Sequence, residues 1–425
     1  MAPRRGYWSF YWPLALSSVV MLLERQFQNG VLARYPDGTA QLATFALAAS
    51  GFHLFDAAVI FVPQLIAVMG RTRASRRTCR HFVFAVGLLL SLPLLFMAFT
   101  GAGQRLLAGL LNIPEALAPD VARYLQWLAP LVLVNALRNY GVGVLVLGAR
   151  TGRVTVLHAV HMVALIGVLL AGRALGWGAL PTIALATVAS NGLHLILVAA
   201  AAAGTPVPPP SPGPPPLRVR WRDLCAFFWP VALTSTMFAM SRPVLYAFVN
   251  LTPDAVIHVA ALRVAFDFAM FFQSPVNQFR HVYATYGAED PHGVRRFMMR
   301  VTAVLVVAMA AVALSPAGRF LFGDLMGIEE AVLRRALESM VLLCAAPLVI
   351  ALRNLNHGKL MVRRRTTAMG LASVLRVAAI GVASHGLYRI GWLDHRSASA
   401  ALVLGFAVEA LVVHLACMRH ARRHS

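Results

Sequence analysis

Apolar runs long enough to cross a bilayer follow one another along almost the whole chain, with short polar stretches between them. A run of about 20 apolar residues spans the hydrocarbon core as a helix, because its backbone N–H and C=O groups then satisfy one another within the segment. Such runs are expected near residues 8–30, 42–69, 81–100, 122–148, 153–172 and 178–203, and again near 222–250, 256–285, 296–316, 332–357, 366–388 and 397–418. Composition agrees: 59% of the 425 residues are hydrophobic and only 13% are charged, against roughly 25% charged in a soluble domain. Twelve spans use about 240 residues, which leaves no room for a large soluble catalytic domain. The expected fold class is an all-α polytopic membrane protein with about twelve transmembrane helices.

The chain also repeats itself. FYWPLAL at 10–16 returns as FFWPVAL at 227–233, an offset of 217 residues. APLVLVNALRN at 129–139 returns as APLVIALRN at 346–354, and the two ALRN tails lie 215 apart. Gly176-Trp177 returns as Gly391-Trp392 at that same offset of 215, and ARTG at 149–152 faces RRTT at 364–367. FDAAVIFVP at 55–63 faces FDFAMFFQSP at 266–275. Matches in one order at nearly one spacing point to an internal duplication. Between the halves, residues 205–216 read TPVPPPSPGPPP, the composition of an extended polyproline spacer. The domain organisation expected is a six-helix bundle over 1–203, a Pro-rich cytoplasmic linker over 204–221 and a second six-helix bundle over 222–425.

Basic residues outnumber acidic ones, 38 to 16, giving a formal charge of +22. In a soluble chain this would suggest nucleic acid. Here arginines punctuate the apolar runs, as in cytoplasmic membrane loops, so no nucleic-acid partner is expected. They precede span one (Arg4, Arg5), separate spans two and three (Arg71, Arg73, Arg76, Arg77, Arg80), and follow spans four, eight and ten (Arg150, Arg153; Arg295, Arg296, Arg300; Arg363, Arg364, Arg365). The opposite loops are poorer in arginine and hold Asp37, Asp120, Asp254 and Glu329. The positive-inside rule puts both termini in the cytoplasm. Six spans per half is an even number, so the two repeats are parallel, related by an axis along the membrane normal. The four cysteines are scattered, with no metal or disulfide spacing, and no cleavable signal is evident.

Polar residues within the spans are the candidate functional groups, because a charge at membrane depth is costly and marks a pathway or a pair. Span one carries Glu24, Arg25, Gln28 and Asn29; span seven places Arg242 between Ser241 and Pro243. Spans four and ten carry the repeated Arg138-Asn139 and Arg353-Asn354. Guanidinium groups clamp carboxylates and phosphates through several donors. Arg25, Gln28, Asn29, Arg138, Asn139, Arg242, Arg353 and Asn354 are therefore candidate contacts for a small anionic substrate flanked by the two halves. The plainer alternative is that Arg242 pairs with a carbonyl freed by Pro243, and that the ALRN arginines anchor at headgroups. Glu24, His53, Asp56, Arg263, Asp267, Arg376 and Glu409 are candidates for ion coupling or for structural pairing. Arg263 and Asp267 are four apart on one helix face, and His194 takes the Glu409 position in the first half. There is no phosphate-binding Gly-rich loop, no Gly-x-Ser-x-Gly elbow, and no further ligand beside His158 and His161. An enzyme, a cofactor and a metal are not expected.

Two parallel six-helix halves resemble the multidrug/oligosaccharidyl-lipid/polysaccharide exporter superfamily, the MATE-like fold. Within it, the chain resembles the progressive ankylosis protein (ANKH) family, as a bacterial homologue. The resemblance rests on Tyr11-Trp12-Pro13-Leu14, on Trp229-Pro230 leading through Ala232-Leu233 to Ser241-Arg242-Pro243 and Phe248-Val249, on the stretch from Ala345 to Arg353, and on Ser373-Val374-Leu375-Arg376-Val377. It implies a secondary transporter exporting pyrophosphate, ATP and citrate or related carboxylates, and Arg242 carries over first because its Ser-Arg-Pro context is intact. The proline-rich linker and the many arginines depart from the family pattern. A monomer in the bacterial inner membrane, surrounded by lipid, is expected. The alternatives are a lipid-linked glycan or phospholipid flippase, a cation-coupled multidrug exporter relying on Glu24, Asp56 and Asp267, and a non-transporting scaffold.

Overall fold

The computed structural model describes residues 6–148, 150–206, 219–287, 289–362 and 367–421. The first helices are α1 (Tyr7–Ala33), α2 (Gly38–Val59), α3 (Val62–Met69), α4 (Arg73–Phe99), α5 (Gly101–Leu111) and α6 (Ala118–Leu128). They are followed by α7 (Leu131–Leu147), α8 (Thr151–Ala174), α9 (Ala179–Ala203) and α10 (Trp221–Val249). Then come α11 (Ala255–Asn277), α12 (Phe279–Tyr286), α13 (Pro291–Leu314) and the short α14 (Pro316–Arg319), which runs into a π-helical turn at Phe320–Leu325. The last four are α15 (Glu330–Leu343), α16 (Ala346–Val362), α17 (Thr367–Arg389) and α18 (His395–Ala421). Most of the Pro-rich linker lies outside the described residues.

Ten of these segments are long and apolar enough to cross a membrane, and an eleventh arises if α15 and α16, bent by 40° at their junction, are one span. The protein is thus an all-α, multi-pass membrane protein. Helix α1 is as long as the others, but Glu24, Arg25, Gln26, Gln28 and Asn29 leave it too polar to be counted among them. Several spans expected to be single helices are broken in two, and prolines mark the breaks. Pro63 opens α3, Pro130 precedes α7, Pro275 stands near the end of α11 and Pro347 is the second residue of α16. A proline lacks the N–H that would continue the helical ladder and clashes with the preceding turn. The short α5, α14 and π-helical turn between spans also escaped the sequence reading.

Local geometry recurs at the spacing of the sequence repeat. The positive-φ residues among those described are Asp37, Asn112 and Gly176, then Asp254, Gly327 and Gly391. They stand in the same order at separations of 217, 215 and 215 residues. After α8, Trp177 N–H reaches back to Gly172 O at 2.9 Å; after α17, Trp392 N–H reaches Leu387 O at 2.9 Å. Gly176 and Gly391 both have φ of +73°, the left-handed cap that only glycine adopts without strain.

Packing groups the chain into two units that run across the sequence halves: residues 47–243 form one, residues 1–46 with 244–425 the other. In the 47–243 unit, α3, α4, α7 and the start of α10 share a core of Val59, Ile66, Phe82, Val86, Ala136, Phe228 and neighbours. Close approach is built in: a Cβ on Gly87 would lie 2.9 Å from Ala136 Cβ, and one on Gly143 would lie 2.7 Å from Ile66 Cβ, the small-residue contact that lets membrane helices pack tightly. Arg76 donates to the carbonyls of Gly70, Thr205 and Pro206, tying down the chain where it leaves α9.

In the second unit, α1 packs on α11 and α12, α11 on α15, and α18 on α16 and α17. The Tyr7 hydroxyl donates to Asp290 at 2.6 Å, joining the start of α1 to the start of α13. That bond, with the Gly293 N–H, holds the Asp290 carboxyl below the usual carboxylate range. Both units carry fully exposed aliphatic side chains, such as Val163 on α8 and Val382 on α17, on helix faces suited to lipid.

Candidate charge clusters at membrane depth

The polar residues gather into buried clusters, described unit by unit. In the unit formed by 1–46 and 244–425, Asp267 on α11 accepts from Asn29 Nδ2 at 3.3 Å and pairs with Arg25 at 3.4 Å. Arg263 donates from Nε to Asn29 Oδ1 at 2.7 Å, stands 4.0 Å from Asp267, and lies over the Phe45 ring at 4.5 Å. Asn29 is fully buried and uses both ends of its amide. Gln28, one turn from Glu24, donates to it at 3.4 Å. Thus Arg25 and Asn29 dock α1 onto α11, while Glu24 and Gln28 bond each other one turn apart.

The second cluster of this unit is centred on Glu409 of α18. Its Oε2 accepts from Arg376 at 2.6 Å and from Arg353 at 3.2 Å, while Oε1 accepts from the Ser373 hydroxyl at 3.0 Å. The His357 ring stands 4.0 Å away. Both guanidiniums lie over Phe406, at 5.5 and 5.3 Å. Arg353 also donates to Asn277 Oδ1 at 2.7 Å, and its Nε is buried without a hydrogen-bond partner. Arg280 on α12 is within electrostatic reach of Arg353 and His357. Two arginines therefore hold one carboxylate, with Arg280 acting on Arg353 and His357 beside them. Burying charges in this way is repaid only where geometry and extra hydrogen bonds are good.

Asn354 has a different task. Its Nδ2 donates to the Val276 carbonyl at 3.0 Å, beside the break between α11 and α12. In the 47–243 unit Asn139 does the same: its Nδ2 donates to the Val59 carbonyl at 2.9 Å, at the break between α2 and α3. The Asn of each ALRN thus bonds a carbonyl beside a helix break; Val59 O has no i+4 N–H because residue 63 is proline, while Val276 O also accepts from the Gln278 N–H. Neighbouring Arg138 donates to Asn191 Oδ1 at 2.7 Å. Asp56 accepts from Asn135 Nδ2 at 2.8 Å, and the His53 ring lies against Phe52. Arg242 is half-buried on α10, between a buried Ser241 and a buried Pro243, and the helix continues through it.

Several participants were not singled out from sequence. Ser373, Asn191, Phe45 and Phe406 carry no charge and look like ordinary span residues. His158 and His161 were noted only as a poor metal pair, and among the described residues no group of three His, Cys, Asp or Glu has metal-holding geometry.

No family model matches the sequence. The fold matches an inward-facing multidrug-resistance MATE transporter of the MOP superfamily with a TM-score of 0.70 at 15% identity, over 96% of this chain and 98% of that one. It matches the lipid II flippase MurJ in an inward-closed conformation at 0.70 and 11% identity, over 95% and 87%. A MOP superfamily transporter from Pyrococcus furiosus, described as having reversed polarity of its binding pocket, matches at 0.62 and 15%, over 97% and 95%. The chain has the fold shared by these solved structures. At such identities the likeness speaks for the fold, and cargo has to be argued from side chains.

Proposed function

We propose that the protein is a secondary transporter exporting small multivalent anions that bear carboxylate or phosphate groups, such as citrate, pyrophosphate or ATP, by alternating access. The observation that carries this reading is the charge balance of the Glu409 cluster: Arg353 and Arg376 share one carboxylate, and Arg280 stands within electrostatic reach of Arg353. In a low-dielectric setting an unbalanced guanidinium favours a multivalent anion over a cation or a neutral molecule. The resemblance to the progressive ankylosis family supports the same cargo class. The reversed pocket polarity described for the Pyrococcus furiosus protein supports the idea that charge preference varies on this fold.

On this reading the chain has twelve spans, with α1 as the polar twelfth, arranged as two parallel repeats with both termini cytoplasmic. The recurrence of the positive-φ caps and of the two Asn–carbonyl bonds supports that arrangement. Arg353 and Arg25 in one unit, and Arg242 and Arg138 in the other, are the proposed groups that attract the anion, with Gln28, Asn29 and Asn354 in the first and Asn139 in the second holding the surrounding helices in place. Glu24, His53 and Asp56 are the proposed coupling groups. The protein works as a monomer. A lipid-linked glycan or phospholipid is the alternative cargo, because MurJ has the same fold.

The test is flux of labelled citrate, pyrophosphate and ATP in proteoliposomes of purified protein, compared with Arg353→Gln and Arg242→Gln. Arg353→Gln leaves Glu409 paired with Arg376, so the protein should fold. At least tenfold loss of saturable flux is expected in each variant. Wild-type flux in both variants would contradict the assignment.

A further inference from the structure

The spacing of 215 residues that relates the two ALRN strings also relates the whole Glu409 cage to a second cluster. Arg353 corresponds to Arg138, Ser373 to His158, Arg376 to His161, and Glu409 itself to His194. The structure brings this second set together inside the 47–243 unit. The His194 ring lies 4.9 Å from the His158 ring and 5.0 Å from the His161 ring, between centroids. Arg138 is within electrostatic reach of His194 and His158. His194 is 1% exposed and His161 5% exposed. Neither ring nitrogen of His194 has a hydrogen-bond partner. Buried polar atoms are normally satisfied, and an orphaned imidazole at the centre of a cluster calls for a ligand.

The second cluster therefore keeps one arginine of the Glu409 cage, has histidines in place of Arg376 and Ser373, and lacks the carboxylate. We propose that the Arg138–His158–His161–His194 cluster is a proton-dependent oxyanion site, in which a carboxylate, phosphate or sulfate group supplies the negative charge that Glu409 supplies in the other cage. The groups acting on His194 are Arg138 from α7 and His158 and His161 from α8. Asn191 on α9 accepts from Arg138, and the Asp120–Arg123 pair of α6, the other helix packed on α9, is exposed. None of the groups acting on His194 is a carboxylate, so a proton arriving on an imidazole is opposed by Arg138 unless an anion accompanies it. Anion and proton then bind together, each strengthening the other. If the anion is the cargo, the inference deepens the transport reading and rests on it. As a binding site it stands alone.

The test uses sulfate, whose charge is constant between pH 5.5 and 7.5. The full-length protein in nanodiscs, with 15N-labelled histidine rings, is titrated with sulfate at both pH values. Sulfate should shift the ring signals of His158, His161 and His194, with about tenfold tighter binding per pH unit for each proton taken up. His194→Glu places a carboxylate in the cage, as in the other half. It should fold, and it should abolish the sulfate response of His158 and His161. Should that variant not fold, His194→Gln keeps the volume and removes the proton, and the pH dependence of binding should vanish. Unchanged binding in either folded variant, or no ring shift in the wild type, overturns the site. Anion flux that persists unaltered in His194→Glu at both pH values overturns its link to transport and leaves the transporter reading intact. Ring shifts without flux of any anion do the reverse.

Discussion

Glu409 holds together the densest buried charge in the second unit, since its two oxygens serve Arg353, Arg376 and Ser373 at once. Replacing it with Gln leaves two buried guanidiniums without a carboxylate. Loss of about 3–5 kcal/mol is expected, read as a fall in the unfolding midpoint of detergent-solubilised protein. Arg25→Gln should behave differently. Arg25 is a third exposed and pairs with Asp267 at 3.4 Å, while Asn29 continues to serve that carboxylate. A change of about 1 kcal/mol or less is expected there. A small effect for Glu409→Gln, or an equal effect for both, would refute this ranking. Charged members of these clusters were legible in the sequence because a charge in an apolar run stands out. Ser373 and Asn191 were not, since a serine or asparagine in a span has many plain explanations. Carrying the ALRN offset forward by a further 19 and 22 residues would have paired Ser373 with His158 and Arg376 with His161.

Helices here are interrupted where they do most. Asn139 and Asn354 each bond one carbonyl beside a break. Replacing either with Ala should remove that bond and cost about 1 kcal/mol. The two losses should match within experimental error, which thermal unfolding of the single variants would check; a loss in only one would break the equivalence. Gly176→Ala and Gly391→Ala form a second matched pair. An added Cβ meets nothing within 4 Å at either position, so the left-handed φ is the sole penalty, about 1 kcal/mol. Span positions were readable from apolar length. The break in span eight was legible, since Gln273, Ser274, Asn277, Gln278 and Arg280 crowd beside Pro275 as in a broken or solvated helix. The other breaks were hidden because proline is tolerated within membrane helices, and hydropathy alone cannot separate a kinked span from two helices.

At the scale of the molecule, the proposed topology of six spans in each half places both ends of the chain on the cytoplasmic side. Ala2→Cys and His424→Cys, placed singly in an otherwise cysteine-free background, should both resist an impermeant thiol reagent in intact cells and react after permeabilisation. Reaction of one from outside would overturn the twelve-span topology. The sequence duplication and the membrane class were legible from strings and composition, and the fold comparison agrees with the class. The grouping of residues 1–46 with 244–425 was not legible, because it depends on α1 packing through polar residues whose partners lie more than 200 positions away.

The central claim concerns cargo. Its most direct measurement is a side-by-side flux assay in proteoliposomes holding the purified wild-type protein. Labelled citrate, pyrophosphate and ATP are compared with a fluorescent lipid-linked substrate and an organic cation. The account predicts saturable movement of at least one multivalent anion, competed by the others, with neither the lipid nor the cation moving above protein-free vesicles. Movement of the lipid or the cation with no flux of any anion would contradict it.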